Sequence, residues 1–335
     1  MATIKDVAKR AGVGVGTVSR VISRSGPVSA DAVRRVERAI EELRFRPSHA
    51  ARVLQRGQSH TIGAFVPLAQ GAFYTPILHS IYTTLRAQGC HIVVDFGQTL
   101  ATERQDALDG AQFLTDRGCD GLLVMGTALK TADVERIAEL APNFVLLNRD
   151  EPHFRAQCFN PDHKAAGALA AHTLYDAGHR RLAVIEGPKT STDNQLRIRG
   201  FMAALAERGI DPATVPHELG DFSPESGRSA IQRLLRRGRA FTALFCANDE
   251  MAIGALAGLR AAGLNVPGDV SVMGYDGIDI AALTIPPLTT LLIPWQQIAA
   301  NALHHLLNNC YGMRLPVERD FHAKVIWRDS VARLA

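Results

Sequence analysis

Cysteine is scarce and scattered: five among 335 residues, at 90, 119, 158, 246 and 310, with no Cys-x-x-Cys spacing. That excludes a disulfide scaffold and a paired-thiol zinc motif, and leaves reduced thiols of structural use. No apolar run reaches the length of a membrane span, and the first residues hold no apolar leader of the signal-peptide kind. The expectation is a cytoplasmic protein with no membrane partner. Enzymatic signatures are missing too: no G-x-S-x-G elbow, no phosphate-binding P-loop and no zincin motif occurs. His304 and His305 are adjacent on a helical stretch, so they point to different faces and make a poor metal pair. Lys189-Thr190 lacks the glycines of a phosphate loop. Neither catalysis, nor a cofactor, nor a metal is expected.

What remains is ordinary globular composition, 47% hydrophobic and 21% charged, in a chain long enough for more than one domain. The charge is unevenly placed. Residues 1–60 carry 12 Lys and Arg against 5 Asp and Glu, a net +7, while the other 25 basic and 28 acidic residues leave −3. A basic head on a mildly acidic body is the electrostatic footprint of a nucleic-acid contact confined to one end.

The same head carries two short amphipathic helices. Thr3 can cap the first, with Asp6 in its first turn, and Ile4, Val7, Ala8 and Ala11 share one face. Gly12 can take the left-handed backbone that ends it. A second stripe follows at Val15, Val18, Val21 and Ile22, leaving Thr17, Ser19 and Arg20 outward. Two helices this short must pack on each other. The second then presents small residues and one arginine, of a size to enter a DNA major groove. Gly12, Gly14 and Gly16 alternate as in a dinucleotide loop, but such a loop follows a strand, and here a helix precedes it.

The run Thr3, Asp6, Val7, Ala8, Gly12, Val13, Thr17, Val18, Ser19, Arg20, Val21 resembles the helix-turn-helix of the LacI/GalR transcriptional regulators, in look nearest the galactose-repressor branch. By that resemblance Val15, Gly16 and Arg20 face the bases, with Thr3, Thr17 and Ser19 suited to phosphates. Arg20 offers two parallel donors for guanine O6 and N7, and Val15 can meet a thymine methyl. Gly16 departs from the larger residue common there, and Gly14 from the usual hydroxyl cap.

A third helix is capped by Ser29 and carries Val33, Val36, Ile40 and Leu43 inward, with Arg34, Arg35 and Arg38 outward. After Pro47 an alanine-rich stretch can form only one or two turns, marginal alone. It resembles the family's hinge helix, whose pair enters the minor groove. There Leu54 matches the residue wedged between base pairs, and Ala51 the small residue that lets two hinges approach.

From residue 61 strands and helices alternate. Strands are expected at 61–66, 91–96, 122–125, 144–147, 182–185, 243–246 and 270–274, as buried parallel strands, with a last one near 321–327. Helices are expected at 76–87, 102–117, 132–140, 165–177, 195–208, 224–236 and 250–262. The fold class is therefore a small all-α helix-turn-helix headpiece plus an α/β effector domain of two doubly wound parallel-sheet subdomains. The resemblance makes that domain periplasmic-binding-protein-like. Its expected divisions are a headpiece at 1–46, a hinge and linker at 47–60, and an effector and dimerisation domain at 61–335. One subdomain holds about 61–160 and 291–318, the other about 161–290 and 319–335. Family members that form tetramers carry an appended coiled coil, and no leucine heptad follows the last strand here, so the resemblance implies a homodimer on pseudo-palindromic double-stranded operator DNA.

Ligands of such sheets bind beyond the carboxyl ends of strands. Matched positions there are Phe73 and Tyr74 as an apolar face, Arg197 opening a helix, Asn248 and Asp276 closing strands, and Phe222 and Trp295 as aromatic walls. Asn148, Arg149 and Asp162 sit at the subdomain junction, and Ile293 stands where some relatives place a polar contact. Aromatic walls with hydroxyl-binding groups suit a sugar-like effector. With the headpiece, the resemblance implies a repressor of carbohydrate-utilisation genes. The alternatives are a solute-binding module without DNA regulation, and a corepressor-dependent regulator with a non-sugar ligand. Leu54→Ala should lower operator affinity and bending while leaving effector binding intact; unchanged DNA curvature in a gel-phasing assay would retire the wedge.

Overall fold

The computed structural model describes residues 2–23, 26–45, 58–68, 71–99, 102–238 and 240–334. Ala51 and Leu54, with the expected hinge helix, lie outside the described residues. Two compact units result, 1–59 and 60–335.

The described residues of the first unit form three helices: α1 Ile4–Ala11, α2 Val15–Ser23 and α3 Ala30–Glu42. Thr3 and Asp6 cap α1 reciprocally: the Thr3 amide donates to Asp6 Oδ2 at 2.9 Å and the Asp6 amide to Thr3 Oγ1 at 3.4 Å. The α1 helix ends at Gly12, whose φ of 65° is one that side chains adopt poorly. The small core is Val7, Ala8, Ala11, Val18, Val36 and Ala39, with Ile4, Val21, Ile22, Ile40 and Leu43 packed around it. The inward face of α3 thus runs through Ala32, Val36 and Ala39, and Val33 is only half-buried. Small alanines let α1 approach closely, which the larger-residue stripe did not foretell.

The second unit contains two sheets. The first has order β2-β1-β3-β4-β5, all parallel, from β1 Thr61–Val66, β2 His91–Phe96, β3 Gly121–Met125, β4 Phe144–Leu147 and β5 Cys158–Phe159. Helices α4 Tyr74–Ala87, α5 Glu103–Asp116 and α6 Thr131–Leu140 alternate with these strands. Period-two side-chain alternation explains how both faces fill: Leu122 and Val124 join α5 and α6, while Leu123 faces α4. Strand β2, expected to be buried, is an edge strand with exposed ends and a half-buried middle.

The second sheet has order β11-β10-β9-β8-β6-β7. Its strands are β6 Leu182–Glu186, β7 His217–Leu219, β8 Ala243–Cys246, β9 Ser271–Asp276, β10 Thr289–Leu292 and β11 Lys324–Ile326, with only the β10–β11 pair antiparallel. The accompanying helices are α7 His163–Asp176, α8 Thr192–Glu207, α9 Pro224–Arg236 and α10 Asp249–Ala261. A further helix, α11 Trp295–Tyr311, follows β10 yet packs on α4, β3 and β4 of the first sheet. The chain therefore crosses between lobes three times, after β5, after β10 and after α11. Strands β5, β7 and β10 carried no legible signal: two are very short, and β10 follows a Pro-Pro pair.

Two helix pairs in the second lobe pack backbone to backbone. A Cβ at Gly200 of α8 would fall on the carbonyl of Lys164 in α7, and one at Gly167 on the carbonyl of Arg197. Gly227 of α9 and Gly254 of α10 meet in the same reciprocal way, against Met251 and Pro224. These crossings fix the height of α8 and α10 over the sheet. Gly200→Ala should therefore cost about 2 kcal/mol, as overpacking does; chemical denaturation that leaves stability unchanged would contradict the crossing.

Candidate functional site

On the headpiece, Val15, Gly16 and Arg20 are exposed and Ser19 is half-buried, so these four share an arc of roughly 140° on α2 at about 100° per residue. Thr17 lies half-buried at the side of that arc. The carbonyl of Gly14 accepts from the amides of Thr17 and Val18, so backbone alone starts the helix. Four other headpiece cations are paired: Arg10 and Arg38 reach Glu42, at 2.5 and 3.1 Å, and Arg34 and Arg35 both reach Asp31, while Lys5, Lys9 and Arg44 are in no ion pair among the described residues. Arg20 forms no ion pair among the described residues. Thr3, expected at a phosphate, has its hydroxyl 2.8 Å from Asp6 Oδ2 in the cap.

Between the lobes of the second unit lies a cleft of about 380 Å³. Eight expected residues line it: Phe73, Tyr74, Asn148, Arg197, Phe222, Asn248, Asp276 and Trp295. The aromatic rings are set edge to face, Phe73 to Tyr74 at 4.9 Å and Phe73 to Trp295 at 5.3 Å between centroids. Phe222, at a φ of 69°, is held by Asn248, whose Nδ2 donates to the Phe222 carbonyl at 2.9 Å while its Oδ1 caps α10 through Met251. Phe222's ring occupies the space a side chain at Gly187 would need.

Arg197 does not open its helix. Ser191 caps α8, and Arg197 stands in the second turn, 2% exposed. One guanidinium NH donates to the Ala247 carbonyl, the other to Asp193 Oδ2 at 3.3 Å, and the plane lies 3.6 Å over the Tyr275 ring centre. Around it runs a chain of contacts that spans both lobes. Tyr275 Oη lies 2.9 Å from His163 Nδ1, His163 Nε2 lies 2.7 Å from Asn148 Oδ1, and Asn148 Nδ2 donates to Asp193 Oδ2 at 3.2 Å. Burial and the Arg197 charge push His163 down to about 3, so it is neutral. The network then assigns Nδ1 as acceptor from Tyr275 and Nε2–H as donor to Asn148. Burial alone would raise Asp193, yet Arg197 and its hydrogen bonds hold it below the usual carboxylate range.

Glu250 of α10 also reaches across the cleft, its Oε1 accepting from the Ala72 amide at 2.7 Å. Glu103 Oε1 accepts from the amides of Thr127 and Ala128 at 2.6 and 3.2 Å. Burial pushes both carboxyls upward, and Asp276 further, although Trp295 Nε1 donates to it at 3.2 Å.

Two expected positions fall elsewhere. Arg149 follows Asn148 but does not line the cleft; it is buried against Glu151 at 3.2 Å. Asp162 is exposed and caps α7 through the Ala165 amide at 2.8 Å. Each is one residue from the side chain that does join the network, Asn148 and His163. The sequence reading also missed Glu103, Asp193, Glu250, His163 and Tyr275. Asp193 was findable: it stands four residues before Arg197, the spacing of a helical ion pair, had α8 been started at 192. The others have no local signature.

A headpiece whose described residues form three helices, with an exposed arginine on the second, together with a two-lobed unit holding a cleft, defines a DNA-reading protein with a separate effector site. The bacterial regulatory protein lacI family model matches residues 3–48, and the periplasmic binding protein-like domain matches 171–331. AscG, an HTH-type transcriptional regulator of Escherichia coli, is 33% identical over 99% of this chain and 98% of its own. The lac repressor dimer bound to operator and an anti-inducer superposes with a TM-score of 0.86 at 28% identity, covering 99% of each chain. The regulator CelR in complex with cellobiose gives 0.70 at 30% identity, over 98% of this chain and 100% of its own. The chain belongs to the LacI family of DNA-binding transcriptional regulators. Among the described residues no helix is long and apolar enough to cross a membrane.

Beneath the cleft, burial raises the Asp249 carboxyl to about 7, against hydrogen bonds from Thr290 and the Gly277 and Ile278 amides. The folded chain keeps this proton where the unfolded chain, near 3.8, has lost it. Its stabilisation is thus full below about pH 4 and lost as pH rises through 7, by a few kcal/mol. Unfolding free energies measured across that window should show this fall in the wild type, and Asp249→Asn should remove it.

Proposed function

We propose that this protein is a cytoplasmic homodimeric repressor of carbohydrate-utilisation genes whose grip on its operator is set by a small sugar-like effector in the interlobe cleft. In this reading Arg20, Val15 and Gly16 face base edges, Thr3, Thr17 and Ser19 face phosphates, and Ala51 and Leu54 belong to a paired hinge in the minor groove. Two headpieces match two half-sites of a pseudo-palindrome. The observation that carries the reading is the exposed trio Val15, Gly16 and Arg20 on one arc of α2, on a chain that also holds an aromatic-walled cleft between lobes. The cellobiose bound by CelR supports the sugar class, and the operator-bound lac repressor dimer supports the assembly.

The cleft can act as a switch because its contacts join two lobes. Asn148 belongs to the first lobe and Asp193 to the second, and Glu250 reaches Ala72 in the same sense. A ligand that favours one spacing of the lobes shifts the population toward it, by no more than its difference in affinity for the two states.

Arg20→Ala should cost about 1–3 kcal/mol of operator binding, the value of one bidentate base contact. Random DNA of equal length should lose much less. Equal losses on both duplexes in fluorescence-anisotropy titrations would assign Arg20 to the backbone instead.

A further inference from the structure

The chain enters the second unit at His60, one residue before β1, in an unusual backbone with a φ of 51°. Histidine is among the side-chain-bearing residues that visit this left-handed region, and the conformation persists where the surroundings over-determine it. Three elements do so here. The His60 carbonyl accepts from the His91 amide at 2.8 Å, at the start of β2. The Asp120 amide donates to the Thr61 carbonyl at 2.8 Å, just before β3. The imidazole itself lies flat on the Tyr311 ring, with 4.9 Å between centroids and 13° between planes.

Tyr311 is the last residue of α11, and it is fixed in turn. Its hydroxyl donates to Asp120 Oδ2 at 2.7 Å, and the Cys310 thiol donates to the Asp120 carbonyl at 3.3 Å. A Cβ at Gly121 would lie 2.7 Å from Cys310 Sγ, so the end of α11 is pressed onto the first sheet. The other end of this 17-residue helix, about 24 Å away, is Trp295 in the cleft. Trp295 Nε1 donates to Asp276, and its ring centroid lies 6.0 Å from that of His163, both residues of the second lobe. One helix thus touches the second lobe at its first residue and the root of the linker at its last.

The geometry points to His60 and Tyr311 as positioning residues for operator binding: their stack fixes the direction in which the chain leaves the first lobe, so that a turn of that lobe carries the linker with it. Without the stack His60 can leave its left-handed well. Rotation about its φ and ψ then absorbs lobe movement before it reaches the headpiece. Helix α11 makes both ends of this coupling observable, since Trp295 lies against the second lobe while Tyr311 holds the linker to the first.

This rests on the cleft and the operator being coupled, and the test separates the two. In full-length protein carrying Trp327→Phe, Trp295 is the sole tryptophan. The DNA probe is the tightest duplex recovered by selection from a randomised pool. Coupling between sites is reciprocal, so saturating duplex should shift Trp295 emission in this parent protein. Tyr311→Leu and His60→Gly should each abolish that shift. Each should also lower duplex affinity about tenfold, a loss of about 1.4 kcal/mol, the scale of releasing one backbone residue. Tyr311→Phe, which keeps the ring, should retain both the shift and the affinity. His60 is only half-buried, so His60→Gly carries the test where Tyr311→Leu unfolds. An emission shift that survives loss of the stack, or that vanishes equally in Tyr311→Phe, would overturn the positioning role and leave cleft-to-operator coupling standing. Unchanged Trp295 emission on duplex binding in the parent, or a pool that yields no preferred duplex, would overturn that coupling, and the inference with it.

Discussion

A guanidinium held out of water is the constraint around which the effector unit is built. Burying a charge is costly unless it is paired and hydrogen-bonded. Arg197 meets that requirement with Asp193 on its own helix, the Ala247 carbonyl at the end of β8, and the Tyr275 ring on β9. Each partner comes from a different element, so the ion can be satisfied only if α8, β8 and β9 stand in one arrangement. The reciprocal glycine crossings at Gly167 and Gly200 let α8 sit low enough for this. Larger residues there would lift Arg197 away from its partners.

From that centre the polar chain leaves the second lobe and reaches the first. Tyr275, neutral His163 and Asn148 pass hydrogen bonds from β9 through α7 to the turn after β4. Asn148 adopts a φ of 62°, an uncommon backbone for a side-chain-bearing residue, and asparagine is among the residues that tolerate it. Asn148 stands between β4 and β5, one strand before the first crossing, and its side-chain amide reaches Asp193 of the other lobe. Phe222 and Asp276, also at positive φ, flank the same cleft. Three such residues around one cavity are the kind of local cost that a fold retains where side chains must converge.

The headpiece works by a different economy. Its core is alanine and valine, its three helices are short, and its charged residues neutralise one another along α3. Arg20 stands apart from that internal pairing, on the arc with Val15 and Gly16. The absence of a side chain at Gly16 leaves backbone exposed beside the arginine.

Much of this was legible in the chain itself. Helical spacing, the Thr3–Asp6 cap and Gly12 placed the headpiece, and apolar runs between glycine-ended helices placed most parallel strands. Local chemistry suffices there, because caps, periodicity and buried strands are written within a few neighbouring residues. The cleft's aromatic walls and strand-end polar residues were legible only through family resemblance, and two of those positions, Arg149 and Asp162, were off by one residue. Which side chain turns inward at a junction depends on the pleat and on where a helix starts, and both are settled by packing. Glu103, Glu250, Tyr275 and His163 had no signature at all, since their partners lie far away in sequence. The sequence alone thus determined the elements and the headpiece surface. The tertiary structure decided that Glu103, Asp193, Asp221, Glu250, Asp276 and Arg197 face the same space, because charges distant along the chain acquire a common field only when the lobes bring them together.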